Sequence, residues 1–266
     1  MKKILTNLKE NWITYGFETL VVIVGILIAF GLNNWNEGRK QRKLELNYLQ
    51  RLHNDLVSDT IYYNRRYQQA MGVRVQNSKG LDMAYKELNS IDEVAELFRT
   101  TRFPSEDLTI RDITYKEMMN AGHLNIISNE KLKINISDLY RQVSIAQDHF
   151  EEINNTSIEL MIRWFDNAKS HKLIVKAVSS DQAPYQPFMF EDDSEWAWLN
   201  DTKSDEFRQY ENLLSLYVGK HDLFRGYLDD LKLRTKMILI RIEGILEAEG
   251  LEPINQDSQP THTEQR

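Results

Sequence analysis

The chain is an acidic protein of 266 residues that has no cysteine and carries a net charge of −7 at neutral pH. Residues 1–43 carry a net charge of +4, which leaves −11 on residues 44–266. Because nucleic-acid binding needs a basic surface, this composition excludes nucleic acid as a partner. The lack of cysteine excludes a thiol nucleophile but fits an oxidising or a reducing compartment equally well.

Residues 13–32 are predicted to form a transmembrane helix after a short tail at residues 1–12. Leu20–Leu32 contains thirteen consecutive residues without a polar side chain, and extension to Ile13 gives about 30 Å of helix, the thickness of a hydrocarbon core. A cleaved signal would end in a small-residue cleavage site, whereas this run leads into Asn33. A buried core helix is the other alternative. Aromatic and basic residues flank the segment like a membrane interface: Trp12, Tyr15, Trp35, Arg39, Lys40, Arg42 and Lys43.

Three residues of this segment are candidates for packing within the membrane. Glu18 lies about one turn inside the edge, where it either reaches the headgroups or contacts a partner helix. Gly25 and Ala29 form a small-residue pair that permits close helix approach and suggests self-association. Basic residues are slightly more numerous on the C-terminal side, which favours a cytoplasmic domain, whereas a short tail before a long domain is typical of a signal anchor. The expectation adopted is a periplasmic C-terminal domain on a single-pass protein of the bacterial inner membrane.

Residues 36–250 are predicted to form a helical bundle, because three long segments place apolar residues at alternating spacings of three and four. The anchor is expected to continue without a joint into the first, since no proline intervenes. The fold class is therefore mainly α, with a transmembrane helix continuing into an elongated antiparallel bundle. The three rows run from Leu46 to Ala70, from Leu132 to Trp164 and from Phe207 to Ile245.

Shorter elements connect these helices. Ser90 and Glu93 form a capping box at the start of a short helix ending near Thr100, and another is predicted over residues 110–121, ended by Gly122. An irregular or β-containing insertion is predicted near residues 171–200, with a possible short strand at residues 173–178. Residues 252–266 are polar and aperiodic, which predicts a disordered tail.

A returning last helix would bring Glu243, Glu247 and Glu249 close to the basic residues after the anchor. These basic residues then have two interpretations, contact with lipid headgroups or ion pairs with the returning helix. Headgroup contact is favoured, because exposed ion pairs contribute little energy.

Two segments resemble an uncharacterised family of single-pass membrane proteins from flavobacterium-type bacteria. Residues 18–37 (Glu-Thr-Leu-Val-Val-Ile-Val-Gly-Ile-Leu-Ile-Ala-Phe-Gly-Leu-Asn-Asn-Trp-Asn-Glu) resemble its N-terminal signature, and residues 114–129 are similar to its second motif. Thr19 and Phe30–Gly31 depart from the expected pattern. The family is a domain of unknown function, so the resemblance implies a retained anchor and inner-membrane residence but no catalytic residues.

The sequence contains no recognisable catalytic, cofactor or metal motif. None of the six histidines pairs at a spacing of four on one helix, and no Gly-rich phosphate loop or Gly-x-Ser-x-Gly occurs. His53 and His221 fall on the apolar rows, where a buried histidine with a hydrogen-bond partner is the simpler interpretation and pH sensing or ligand binding the alternative. The acidic run at residues 191–195 lacks the spacing of a calcium loop. No cofactor is expected.

Three functions remain open at this point. The first is a membrane-anchored bundle that contacts lipid and binds another protein or itself. The second is a periplasmic sensory bundle with a small ligand between its helices, which predicts a cavity near His53 and His221. The third is a metal protein or an enzyme.

Overall fold

The computed structural model describes residues 12–165 and 196–252, with side chains from residue 16 onward except residue 165. Within these ranges it contains five α-helices and no strand, which confirms the mainly α prediction. The predicted tails and most of the predicted insertion, including the residue 173–178 strand and the residue 191–195 acidic run, lie outside the described residues. The helices are α1 (Trp12–Ala84), α2 (Ile91–Thr100), α3 (Ile113–Asn120), α4 (Glu130–Phe165) and α5 (Asp205–Ala248). Two 3₁₀ turns occupy His123–Ile126 and Ala197–Asn200.

Helix α1 is one continuous helix of 73 residues, so the apolar N-terminal segment runs into the body without a joint, as predicted. At 1.5 Å per residue its length is about 110 Å. It continues beyond Ala70, where the predicted row ends, because tertiary contacts support its last turns. The Asn77 amide is buried there, donating to the carbonyl of Arg102 at 2.8 Å and accepting from its N–H at 2.9 Å.

The predicted apolar rows form the core. On α5, every residue of the row from Phe207 to Ile242 is buried, and Ile245 is half-buried. The rows of α1 and α4 likewise contribute buried residues to one cluster with α5, in which the rings of Phe150 and Phe224 stack with centroids 3.7 Å apart. A second cluster around Trp164, Trp196 and Trp198 packs α2 and the start of α5 together.

Helices α1 and α5 run in opposite directions, as polar contacts along their lengths demonstrate. Arg42 reaches Glu249 at 2.7 Å, and Arg74 reaches Asp222 at 2.7 Å. Just after the end of α1, the Tyr85 hydroxyl donates to Glu211 of α5. Residues later in α1 therefore contact residues earlier in α5, as in an antiparallel pair of helices.

The connecting elements follow their local signals with one correction. Ser90 caps α2 by accepting from the N–H of Glu93, whose carboxylate accepts from the N–H of Asn89 at 2.7 Å. Gly122 has a φ of 68° and ends the turn after α3, a conformation that glycine adopts without strain. Helix α3 begins at Ile113 rather than at residue 110. Residues 110–112 stay in the extended segment that lies along α1, where Ile110 packs against the core and the N–H of Arg111 bonds to Asp59 Oδ1 at 2.9 Å.

We expect Phe224→Ala to lower the free energy of unfolding by about 3–5 kcal/mol, because it removes a fully buried ring and leaves a cavity beside Phe150. The matched change Ile61→Ala, on a side chain that is 67% exposed, should change it by less than about 0.5 kcal/mol. Denaturant unfolding of the full-length proteins in detergent measures both. Equal effects of the two changes would contradict this assignment of the core.

Candidate functional site

The N-terminal part of α1 is apolar and uncovered. The most apolar stretch of 18 residues in this helix has a mean hydropathy of 2.0, and none of that stretch is buried. By length and composition, the helix can therefore cross a membrane. A core helix of that length would be covered by other elements, whereas Phe17 and Leu27 here are 68% and 64% exposed. Trp35, at the end of the apolar segment, is 62% exposed. The side chains of Trp12 and Tyr15 lie outside the described ones.

Glu18, Gly25 and Ala29 lie on one face of this helix, because they are separated by seven and four residues. All three are exposed, and a Cβ built on Gly25 would meet nothing within 4 Å. Their packing against another helix stays a prediction.

The basic residues after the apolar segment divide into paired and unpaired groups. Arg42 donates to Glu249 Oε1 at 2.7 Å and to the buried Glu45 at 2.6 Å, so the returning helix does reach it. Lys40 pairs with Glu37 within α1 at 3.1 Å. In contrast, Arg39 lies over the ring of Trp35 at 5.0 Å, and neither Arg39 nor Lys43 has a carboxylate partner among the described residues. Among these basic residues, Arg42 is thus the one that forms the expected ion pair with the end of the last helix.

A surface cleft of about 440 Å³ lies beside these residues, between α1 and the end of α5. Arg39, Arg42 and Lys43 line one side of it. The opposite side is formed by the turn that ends α5, in which Gly250 has a φ of 70° and the N–H of Leu251 bonds to the carbonyl of Leu246 at 2.9 Å. The remaining lining residues are Leu46, Asn47, Gln50, Glu249 and Leu251.

Both histidines on the apolar rows are buried and have polar partners. His53 Nε2 lies 3.1 Å from Glu243 Oε1. His221 is fully buried, with Nδ1 2.6 Å from the carbonyl of Tyr217 and Nε2 3.4 Å from Glu106 Oε1. Neither histidine lines the cleft beside Arg39 or a smaller one beside Arg234. Their surroundings match the structural interpretation of a buried, hydrogen-bonded histidine.

His221 belongs to a buried polar cluster that sequence reasoning missed. Lys220 is only 2% exposed, and its Nζ donates to Ser157 Oγ at 3.0 Å and to the carbonyl of Pro104 at 3.1 Å. Glu106, which is 6% exposed, pairs with Arg66 and faces His221. The cluster therefore joins α1, α4 and α5 through the extended segment before α3.

Burial determines the chemistry of this cluster. Desolvation lowers the pKa of Lys220 to about 8, although the nearby Glu106 carboxylate opposes that shift. The ammonium lies 4.6 Å from the centre of the Tyr217 ring, in a cation–π contact. The Lys220 amine and the Ser157 hydroxyl are 3.0 Å apart, a distance at which a base can activate a nucleophile. However, Lys220 and Ser157 are both buried, which leaves a reacting group no access to them. The cluster thus holds the segment around Glu106 in place.

A second buried acid lies where α1 meets that extended segment. Asp59 is 2% exposed, and burial raises its pKa from 3.8 to about 7. Its Oδ1 accepts the N–H of Arg111 at 2.9 Å, whereas Oδ2 has no hydrogen-bond partner.

In the described part of the chain, no three histidine or acidic side chains gather into a set that could hold a metal ion.

The outer side of α5 carries a second row at spacings of three and four. Leu223, Leu233, Met237 and Ile240 in this row are 43–60% exposed, and a Cβ on any of its glycines would meet nothing within 4 Å. Asp230 interrupts the apolar character, but its carboxylate accepts from Arg234 of the same helix at 2.7 Å. We call this surface the outer row: Gly219, Leu223, Gly226, Asp230, Leu233, Met237, Ile240 and Gly244.

The chain belongs to a family of unknown function, DUF6090, whose model matches residues 18–181, more than half of its length. The match begins at Glu18 and includes the apolar segment, α2, α3 and α4. The predicted membership in an uncharacterised family is confirmed. No curated protein and no solved structure matches the chain.

We expect Glu106→Gln to lower the free energy of unfolding by about 3–5 kcal/mol, because it removes the buried carboxylate that pairs with the half-buried Arg66 and compensates the buried ammonium of Lys220. Asp107→Asn is the matched control. Its carboxylate also pairs with Arg66, at 3.1 Å, but its side chain is 76% exposed, so the cost should stay below about 1 kcal/mol. Chemical unfolding at neutral pH distinguishes the two, and a smaller loss for Glu106→Gln than for Asp107→Asn would reverse the assignment.

Asp59→Asn should flatten the pH dependence of stability between pH 4 and 7. A folded-state pKa raised to about 7 means that the folded protein binds more protons than the unfolded chain in this window. The stabilisation from protonated Asp59 is therefore complete below pH 4 and is lost as the pH rises through 7. The loss is on the order of 2–4 kcal/mol.

Asparagine keeps the acceptor for the N–H of Arg111 and carries no charge at any of these pH values. The variant should therefore be more stable than the native protein at pH 8. Melting temperatures across the pH range test this, with the exposed Asp82→Asn as the control. Parallel profiles for the native protein and Asp59→Asn would show that Asp59 does not titrate there.

Proposed function

We propose that this protein is a single-pass, membrane-anchored helical bundle whose function is to associate with a second copy of itself. The anchor is residues 13–32, the interaction surface is the outer row of α5, and the domain lies on the periplasmic side of the bacterial inner membrane. The observation that carries the proposal is the exposure of Leu223, Leu233, Met237 and Ile240 along one face of one helix. Scattered apolar residues are common on protein surfaces, but apolar side chains aligned along one face of one helix are typical of a contact.

The spacing of the outer row fits a helix as its partner. Alternation of three and four residues over 26 positions, from Gly219 to Gly244, produces the seam of a coiled coil. Glycines within such a seam let two backbones approach closely. The only acid in it, Asp230, has Arg234 as a counter-charge, which reduces the repulsion between two copies.

The membrane favours a second copy over other occupants. Two anchored copies have parallel α1 helices and hence parallel α5 helices, because α1 and α5 are joined in one rigid body by contacts such as that between Arg42 and Glu249. Parallel α5 helices place Met237 opposite Met237 in a two-fold symmetric pair.

The sensory alternative has less support. A ligand-binding bundle needs a cavity between its helices, whereas His221 is fully buried against Tyr217 and Phe224. The surroundings of Lys220 are similarly filled by aromatic rings at 4.6 and 5.6 Å. On the described residues no observation favours an enzymatic or metal-binding role.

Cysteine cross-linking in native membranes tests the proposal, since the chain has no cysteine of its own. Met237→Cys should give a cross-linked product of twice the monomer mass. Ser144→Cys, exposed on the outer side of α4, is the control and should remain monomeric. Equal cross-linking at both positions, or none at Met237→Cys, would refute self-association through α5. A product of another mass would identify a different protein as the partner.

The same control cysteine reports the side of the membrane. A maleimide that cannot cross membranes should label Ser144→Cys in intact spheroplasts if the domain is periplasmic. Labelling only after lysis would place the domain in the cytoplasm.

A further inference from the structure

The cleft between α1 and the end of α5 has the position, charge and shape of a site for one lipid headgroup. This inference rests on the membrane anchoring proposed above, since it takes Leu32 as the end of the apolar segment. Arg39 follows Leu32 by seven residues, about 10 Å along the helix, and Lys43 by about 16 Å. The headgroup layer extends roughly 5–8 Å beyond the hydrocarbon core. Long basic side chains reach back over the remaining distance.

The charges in the cleft are not neutralised by the described chain. Three basic side chains and one carboxylate, that of Glu249, line it. Glu249 is engaged by Arg42 at 2.7 Å, and Arg42 is held further by Glu45 at 2.6 Å. Arg39 and Lys43 therefore remain as two cations on one face of α1, four residues apart, without a described carboxylate to pair with.

The cleft is built rather than incidental. The turn at Gly250 fixes the far side, because Leu251 packs against the core while its N–H closes the end of α5. Gln50 Nε2 donates to the carbonyl of Glu252 at 3.4 Å and secures the chain after that turn. Trp35 lies against the guanidinium of Arg39 at 5.0 Å, on the side toward the apolar segment. Leu46 and Leu251 add an apolar side.

We propose that this cleft binds the phosphodiester of an anionic phospholipid, with Arg39 and Lys43 as the groups that contact the phosphate. Two cations without a described carboxylate partner favour an anionic headgroup over a zwitterionic one, because a choline or ethanolamine would place a third cation beside them. The apolar side of Leu46 and Leu251 suits a glycerol backbone and the start of an acyl chain. Inorganic phosphate offers the same charge without that apolar part.

Native mass spectrometry of the full-length protein in detergent micelles tests the proposal, with phosphatidylglycerol and phosphatidylcholine added separately. Phosphatidylglycerol should be retained preferentially. The double variant Arg39→Gln/Lys43→Gln should bind it about 25-fold more weakly, at about fivefold for each charge removed. Lys40→Gln is the matched control, because Lys40 pairs with Glu37 and does not line the cleft. It should change the affinity less than twofold.

Two other results would contradict the proposed lipid site. An equal loss with Lys40→Gln would mean attraction to basic charge in general, and displacement of the lipid by millimolar inorganic phosphate would identify a soluble anion as the ligand. Both mutated side chains are exposed, and an unchanged melting temperature verifies that the variant is folded.

The outcome is separable from that of the proposed function. Extraction of the native protein from membranes by alkaline carbonate would refute the anchor. Loss of cross-linking at Met237→Cys would refute self-association. Lipid retention in micelles is measured independently of both.

Discussion

The structure depends on the burial of one face of α5 against α1 and α4. From Phe207 to Ile242 this face is buried at every third or fourth residue, and the apolar area removed from water is the main source of stability. Because α1 is a single helix from Trp12 to Ala84, the same packing that forms the core also fixes the body relative to the apolar N-terminal segment. A flexible joint between the two would uncouple them. Here the end of α5 is held beside Arg42.

Charges are distributed in the core according to how well they are compensated. Lys220, His221 and Glu106 are buried together beside the half-buried Arg66, and each has at least one polar or charged neighbour. Burial of such a group has a large desolvation cost that only a complete set of partners offsets. Asp59 has a hydrogen bond to only one oxygen, which offsets only part of the rise in its pKa that burial causes. These groups hold the extended segment between α2 and α3 against three long helices, and so complete the packed body rather than form a reaction centre.

The function that we propose depends on surfaces that the packing leaves uncovered. The apolar segment of α1, the outer row of α5 and the basic cleft after Trp35 are all exposed. Each has a different chemistry, which suits a different neighbour: hydrocarbon, a second α5 and an anionic headgroup. All three lie on elements of one rigid body, so lipid binding and self-association would position each other at the membrane.

The sequence by itself determined the features that depend on local pattern. The rows from Leu46, Leu132 and Phe207 identify the buried faces, because the spacing of apolar residues along the sequence reveals which side of a helix is buried. The caps at Ser90 and Gly122 mark helix ends for the same reason. Only the tertiary structure decided which distant residues meet. Lys220 donates to Ser157 and Pro104, and Arg111 bonds to Asp59. Arg42 pairs with Glu249, whereas Arg39 and Lys43 have no carboxylate partner among the described residues. Such contacts join residues 52 to 207 positions apart, and no local periodicity or cap encodes them.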